Sequence, residues 1–359
     1  MIYYVVLKHG DKTMTVKVLM IARFNNKAAA NGIANHNGLT HAASATYDCL
    51  RDIKELDIAY SLVQQPEEID SAISEHKPKF VFMDGLWIKP ERIRALQKAH
   101  MYTTFILRIH SDAAFIAQEG IFSNWFYKYI EIPNVYVAFN GIDLYNVIVG
   151  CYKAGSHKVL YLPNMYPIDI SINKPIKKDK NIIRISSFGA ARVLKNHFAQ
   201  ALAALKFAEL LNKKLILYIN INTADVSGLA IYLNILHLIK LHPSNKHEVK
   251  LVEWTEHKQF LEAIKEVDIG MQASLSETFN LVSCDTLSTG TPIVGTKEIP
   301  WISWIGRCNP TSHRSMLAAL WRAYTFQRIN VYLNKHSLER FSNKSVKIWK
   351  KVLLGDLAQ

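Results

Sequence analysis

The 359-residue chain has no run of 18 or more apolar residues, which excludes a transmembrane helix. Its richest stretch, Leu229 to Leu241, is interrupted by Asn234, His237 and Lys240. The opening M-I-Y-Y-V-V-L-K-H-G lacks a basic segment, an apolar core and a small-residue cleavage site, so no secretory signal is expected and the expected compartment is the cytoplasm. Cysteine is sparse. Cys49, Cys151, Cys284 and Cys308 form no C-x-x-C pair, which leaves neither a zinc knuckle nor a disulfide framework and predicts four reduced thiols. G-x-S-x-G, the Walker P-loop and G-x-G-x-x-G are all missing. His237, His242, His247 and His257 do not show H-x-x-x-H spacing, so neither a metal nor a bound cofactor is expected. There is no short repeat and no low-complexity tract.

What is present is the balance of a soluble globular chain, 49% hydrophobic and 20% charged, with room for two cored domains. The net charge of +13 is unevenly placed: residues up to 170 carry 17 basic and 16 acidic side chains, and those beyond carry 26 and 14. Between Arg307 and Lys351 ten cations, among them Arg314, Arg328, Arg340 and Lys347, face one acid, Glu339. Such a block reads either as a solvated helical face or as a surface for a polyanionic partner.

Apolar strands alternate with helical patterns throughout, which predicts parallel sheets covered by helices. In the first half these strands are 16–22, 80–84, 104–110, 135–140 and 158–163, with helices at 37–53 and 89–100 and an edge strand at 1–8. Pro163, Pro167, Pro175 and the run K-K-D-K mark a linker, and the domains are set at 1–166 and 167–359. The second half restarts with I-I-R-I-S-S-F-G (182–189) and continues through strands at 214–220, 249–254, 268–273 and 292–296. Two doubly wound Rossmann-like domains would face each other across a cleft at the carboxyl ends of their strands, where such folds bind ligands.

The segment S-L-S-E-T-F-N-L-V-S-C-D-T-L-S-T-G-T-P-I-V-G-T (274–296) carries the strongest chemistry. It reads as a strand end, a polar loop and a helix whose first amides, at Phe279 to Val282, offer an anion site. Glu277 lies at its mouth, and Asp285 follows eight residues later, two helical turns on, so both carboxylates can point the same way. Acids beside a phosphate site suit sugar hydroxyls better than the phosphate. The plainer reading makes Glu277 a helix-cap acid and Asp285 a surface acid.

This segment resembles the E-x7-E signature of retaining glycosyltransferases of the large family four type, which have the GT-B fold. The resemblance implies that Glu277 meets the donor sugar, that Phe279, Asn280 and Leu281 offer amides to sugar and diphosphate, and that Asp285 holds the ribose. Asp285 replaces a glutamate, and Thr278 and Asn280 replace glycines. The stretch A-A-R-V-L-K-N-H after the strand 182–189 is similar to the family's G-R-x-x-x-x-K turn, implying that Lys195 and Arg192 neutralise the leaving diphosphate in place of a divalent metal. Lys195 keeps its spacing from Gly189, whereas Ala190 stands where the arginine is usual. By the same resemblance Asn31-Gly32 would lie near the donor phosphate, His110 at a strand end would contact the donor sugar, and Trp254 would sit by the nucleotide base. Glu119 is a candidate acceptor contact. The C-terminal helix, 342–354, would cross back onto the first domain.

The implied activity is retaining transfer of a sugar from a nucleotide donor, a UDP-sugar by default, to an acceptor hydroxyl. The basic block, including Arg307 and Arg314, favours DNA as acceptor, and the hydroxymethyl group of 5-hydroxymethylcytosine is the leading reading, as in phage-type DNA modification in a host cytoplasm. One alternative docks the same face on anionic lipid, where the enzyme would build polysaccharide or glycolipid. Another is a non-catalytic GT-B protein that binds nucleotide or DNA, favoured by Ala190 and Asp285.

Overall fold

The computed structural model describes residues 15–23, 38–171, 179–220 and 226–355. The described residues form two six-stranded sheets with every pairing parallel. The first contains β1 (Val16–Arg23), β2 (Leu56–Val63), β3 (Phe80–Asp84), β4 (Thr104–Ile109), β5 (Val135–Phe139) and β6 (Val159–Tyr161), in the order β2-β1-β3-β4-β5-β6. The second contains β7 (Ile182–Ser187), β8 (Lys214–Ile219), β9 (Glu248–Leu251), β10 (Ile269–Gln272), β11 (Ile293–Thr296) and β12 (Arg307–Cys308), in the order β12-β11-β10-β7-β8-β9. Both orders reverse direction once, between β1 and β3 and between β7 and β10, so each sheet has a crevice at its carboxyl edge.

The central strands are apolar runs because helices cover both of their faces: all five residues of β3 are buried. Helices cover the first sheet on both sides, and Leu19, Val81 and Leu107 belong to one core while Val18, Phe82 and Ile106 belong to the other. In the second sheet the helix Leu281–Ser288 lies so close to β10 that a Cβ at Gly270 would sit 2.5 Å from Thr286 Cγ2. Among the described residues the strands read from sequence are present, most with one or both ends shortened by one to three residues, and the two-residue β12 was not read. L-D-I-A-Y-S-L-V, which forms β2, escaped that reading because it is an edge strand with Asp57 and Ser61 on a half-exposed pattern. The edge strand expected at 1–8 lies outside the described residues.

The last helix runs from Gln327 to Leu354, twice the length expected, and at 1.5 Å per residue is about 42 Å long. Its polar first half hid it: Asn330 and Asn334 are weak helix formers, yet both are fully buried and work as connectors. The Asn330 amide accepts from Ile293 N (2.9 Å) and donates to Ile293 O (3.0 Å) at the start of β11, while Asn334 Oδ1 accepts from Ser303 N (2.8 Å). Further along, Val331 and Leu338 pack with Phe279 and Trp301 of the second half. Trp349 and Leu353 are buried against Val18, Phe82 and Ile106 of the first sheet. The connector between the sheets is tied to this helix: Trp349 Nε1 donates to Pro163 O (2.9 Å), and Ser342 Oγ exchanges bonds with both Tyr166 N and Tyr166 O, each 3.1 Å.

Candidate active site

A cavity of about 520 Å³ lies between the carboxyl edges of the two sheets and is lined by both. Its second-sheet wall begins where β7 ends. Gly189 turns there with φ +114°, a conformation that suits glycine, and its N–H donates to Asn220 Oδ1 beyond β8 (2.5 Å). A single 3-10 turn, Val193–Lys195, follows and leads into the helix His197–Leu210. Leu275 N donates to Leu194 O (2.8 Å), and Asn196 Nδ2 donates to Ala273 O (3.1 Å), so this turn and the loop after β10 are stitched together.

Lys195 Nζ consequently meets Glu277 Oε1 at 2.5 Å, in a pair where Lys195 is 20% and Glu277 7% exposed. Asn280 Nδ2 donates to the same Glu277 oxygen (2.8 Å) and to Gln272 Oε1 (3.0 Å), while Asn280 Oδ1 caps the helix Leu281–Ser288 by accepting from Ser283 N (2.8 Å). Asn280 has φ +62°. That explains its presence where the resembled family has glycine: asparagine is the side chain that best tolerates left-handed backbone, and here it also caps a helix and holds Glu277. The Phe279 side chain is buried against Trp301 and Phe341, so Phe279 anchors the loop in the core.

The first-sheet wall centres on His110, just past β4. Its Nε2 is 2.6 Å from Asp84 Oδ1, the last residue of β3, and Asp84 in turn is paired with Arg108 Nη1 at 2.9 Å. Arg108 Nη2 donates to Asn164 Oδ1 (2.5 Å), and Asn164 Nδ2 lies 3.4 Å from His110 Nδ1. Asp84 and Arg108 side chains are wholly buried. Burial works to raise the Asp84 carboxyl, but the Arg108 charge and the hydrogen bond from His110 outweigh it and hold it below the usual carboxylate range. Burial outweighs Asp84 at His110 and keeps that imidazole below its ordinary value. His110 is thus a neutral ring with both nitrogens oriented.

Three hydrogen bonds close the walls on each other. Thr278 Oγ1 donates to His110 O (2.9 Å), Asn140 Nδ2 donates to Thr278 Oγ1 (3.3 Å), and Ser276 Oγ donates to Asp112 Oδ2 (2.9 Å). Arg192 lies over the ring of Phe115, 5.2 Å from its centroid.

No family model and no curated protein sequence matches the chain. Solved structures do match it in shape. A trehalose-6-phosphate synthase, OtsA, superposes with TM-score 0.68 at 11% identity over 96% of this chain and 99% of that one. Sucrose-phosphate synthase from Thermosynechococcus elongatus gives 0.65 at 10% identity over 94% and 99%. The E. coli trehalose-6-phosphate enzyme bound with UDP-2-fluoro glucose gives 0.62 at 9% identity over 95% and 99%. The chain has the GT-B fold.

Within this GT-B cleft the cavity brings together His110, Arg192, Lys195, Trp254, Glu277, Phe279, Asn280, Leu281 and Asp285 of the residues singled out from sequence. Trp254 is half-buried, and its indole N–H is enclosed without a hydrogen-bond partner among the described residues. Asp285 is 2% exposed and already engaged: its Oδ1 accepts from Tyr166 OH (2.8 Å) and lies 2.8 Å from His257 Nε2 and 3.7 Å from His41 Nε2. The hydrogen bond to Asp285 raises the His257 pKa against the effect of burial. The plainer reading of Asp285 as a surface acid is therefore corrected.

Arg307 and Arg314 are not brought to the cavity. Arg307 donates to Ile302 O (2.7 Å) beside β12, and Arg314 is exposed in the helix His313–Thr325. Glu119 ends the short helix Ala113–Glu119, and its side chain lies outside the described residues, as does Gly32 altogether. Sequence reasoning missed Asp84, Arg108, Asn164, Tyr166 and His41. Asp84 and Arg108 each carried a signal, as a charged residue in an otherwise apolar strand.

Proposed function

We propose that the chain is a retaining glycosyltransferase that draws its sugar from a UDP-sugar held in the interdomain cavity. The observation carrying this reading is the convergence of Lys195, Glu277 and Arg192 from two separate strand–helix connections at one wall, with His110 facing them across a GT-B cleft. The solved neighbour carrying UDP-2-fluoro glucose supports a donor of that chemistry. Lys195 and Arg192 neutralise the diphosphate as it gains charge on departure; Glu277 accepts from sugar hydroxyls, with Asn280 holding its oxygen in place. His110, neutral and fixed at both nitrogens, orients the sugar. Asp285 and its histidine partners border the ribose, and Trp254 borders the base. The acceptor hydroxyl attacks from the face the diphosphate leaves, passing its proton to the departing diphosphate oxygen, which retains configuration and needs no carboxylate nucleophile of the glycosidase kind.

The proposed acceptor is the hydroxymethyl group of 5-hydroxymethylcytosine in DNA. The support is electrostatic: the exposed side of the last helix presents Arg340, Lys344, Lys347 and Lys351 in one row, a spacing suited to a phosphate backbone. None of these lines the cavity, so they would anchor duplex while a flipped base reaches the sugar. A second reading, docking on an anionic lipid surface for glycolipid or polysaccharide synthesis, is favoured by Ile329 and Tyr332, 50% and 61% exposed on the same helix.

The test is mass spectrometry of nucleosides after incubation with mixed UDP-sugars and DNA with or without 5-hydroxymethylcytosine. Sugar mass added only to the hydroxymethylated base is expected. UDP release without added mass would overturn the DNA acceptor and pass the question to co-sedimentation with anionic vesicles; no release from any donor would overturn the transferase.

A further inference from the structure

His41, His257 and Asp285 come from three distant segments, and each offers one donor atom within 4.8 Å of the others. We propose that they form a binding site for a divalent transition-metal ion of the Zn²⁺ class, one that joins the two domains. His41 stands on the helix Gly38–Leu50 of the first half, whereas His257 opens the helix His257–Lys265 and Asp285 belongs to the helix Leu281–Ser288 of the second.

The three donor atoms, two of them already linked by the His257–Asp285 hydrogen bond (2.8 Å), converge at a spacing that an ion can bridge. Both imidazoles turn Nε2 toward one carboxylate oxygen, at 2.8 and 3.7 Å, with ring centroids 4.2 Å apart. Ligands held tetrahedrally at zinc bond lengths of about 2.0–2.1 Å stand roughly 3.3 Å from one another, a value between those two distances. To seat all three on an ion, the His257–Asp285 contact opens by about 0.5 Å while His41 closes on both partners, the three donor atoms starting within 4.8 Å of one another. Two imidazoles and a carboxylate select zinc-like ions rather than Mg²⁺ or Ca²⁺, which prefer oxygen. Tyr166 OH, donating to Asp285 Oδ1 (2.8 Å), supplies the outer contact that orients such a carboxylate. The Asp285 side chain is 3% exposed, while those of the histidines, 19% and 35%, open toward the cavity, which leaves a fourth position for water or a ligand hydroxyl.

The ion is separate from the diphosphate contacts at Lys195 and Arg192. Because its ligands come from both halves, it binds only when they are together and stabilises that arrangement by linkage. The spacing rule that excluded a metal from sequence misses it, since no two of the ligands are close in the chain.

The test strips the full-length protein with chelator, then titrates Co²⁺ and Zn²⁺, reading visible d–d bands and metal content. One equivalent per chain with the intense bands of four- or five-coordinate Co²⁺ is expected. His41→Ala and His257→Gln should each weaken Zn²⁺ by about a hundredfold or more, while His242→Ala, in a separate histidine pair with His247, leaves it unchanged. His257→Gln also keeps the test open if His41→Ala fails to fold. Absence of a stoichiometric spectrum in the unaltered protein, or its persistence in both ligand variants, would overturn the site.

Discussion

Lys195 Nζ and Glu277 Oε1 stand 2.5 Å apart, although one follows β7 and the other β10. The pair is mostly buried and shares Asn280 as a third member. The two charges thus neutralise each other; in the proposed function a diphosphate offers Lys195 a second anionic partner and leaves Glu277 facing the sugar.

Removing either charge should slow turnover strongly. Lys195→Ala and Glu277→Ala are each expected to lower kcat by about a hundredfold or more, the cost of losing one charge-stabilising contact in a closed site. Because the two touch, the double variant should lose less than the product of the single effects. UDP release measured with saturating donor reads both; near-normal rates in the single variants would misplace the donor site.

Arg108 has no charge partner as close as Asp84 in the buried cluster below His110. Asp84→Ala leaves that guanidinium uncompensated, and a loss of about 3–5 kcal/mol in unfolding free energy is expected from urea denaturation. A loss below about 1 kcal/mol would show that the cluster relaxes into solvent.

His197 gives the fold a dependence on acid. It is 2% exposed beneath the Lys195 turn, and burial, with Lys195 adding to it, pulls its pKa down from 6.5 to about 4. Above 6.5 neither folded nor unfolded chain protonates it; between 6.5 and 4 only the unfolded chain does. Stability should therefore fall as pH drops through that window, by up to about 3 kcal/mol. Asp84, held low, adds its own loss only at more acid pH. Urea midpoints at about pH 7 and about pH 4.5 should converge in His197→Asn relative to the unaltered chain.

Trp349 couples the last helix to the first sheet. It is fully buried, 4.9 Å from the ring of Phe82 and 4.8 Å beneath the Arg108 guanidinium. Trp349→Ala should cost about 3–5 kcal/mol; a calorimetric trace in which the two halves melt separately is the expected signature, and an unchanged single transition would contradict it.

How much of this was legible beforehand depends on how local each signal is. Glu277, Asn280 and Leu281 share one strand–loop–helix segment, so their convergence could be read from spacing, whereas Lys195 was pointed to only by the resemblance of the turn after β7 to a G-R-x-x-x-x-K pattern. The buried strands were equally plain, because an interior parallel strand is apolar on both faces. What could not be read are relations made by packing alone. Asn164 and Tyr166 sit in the connector between the sheets and acquire meaning only through Arg108 and Asp285. His41 gains its place only when the first-half helix meets Asp285. Charge density drew attention to Arg307 and Arg314 but said nothing of where they lie, and the fold places both outside the cavity lining.

The most direct test of the central claim is calorimetric titration of UDP into the unaltered protein and into Lys195→Ala. Saturable one-site binding, weakened at least about tenfold by losing the charge-assisted contact, is the expected result. No heat of binding, or the same affinity in both proteins, would contradict a nucleotide-sugar site at this cavity.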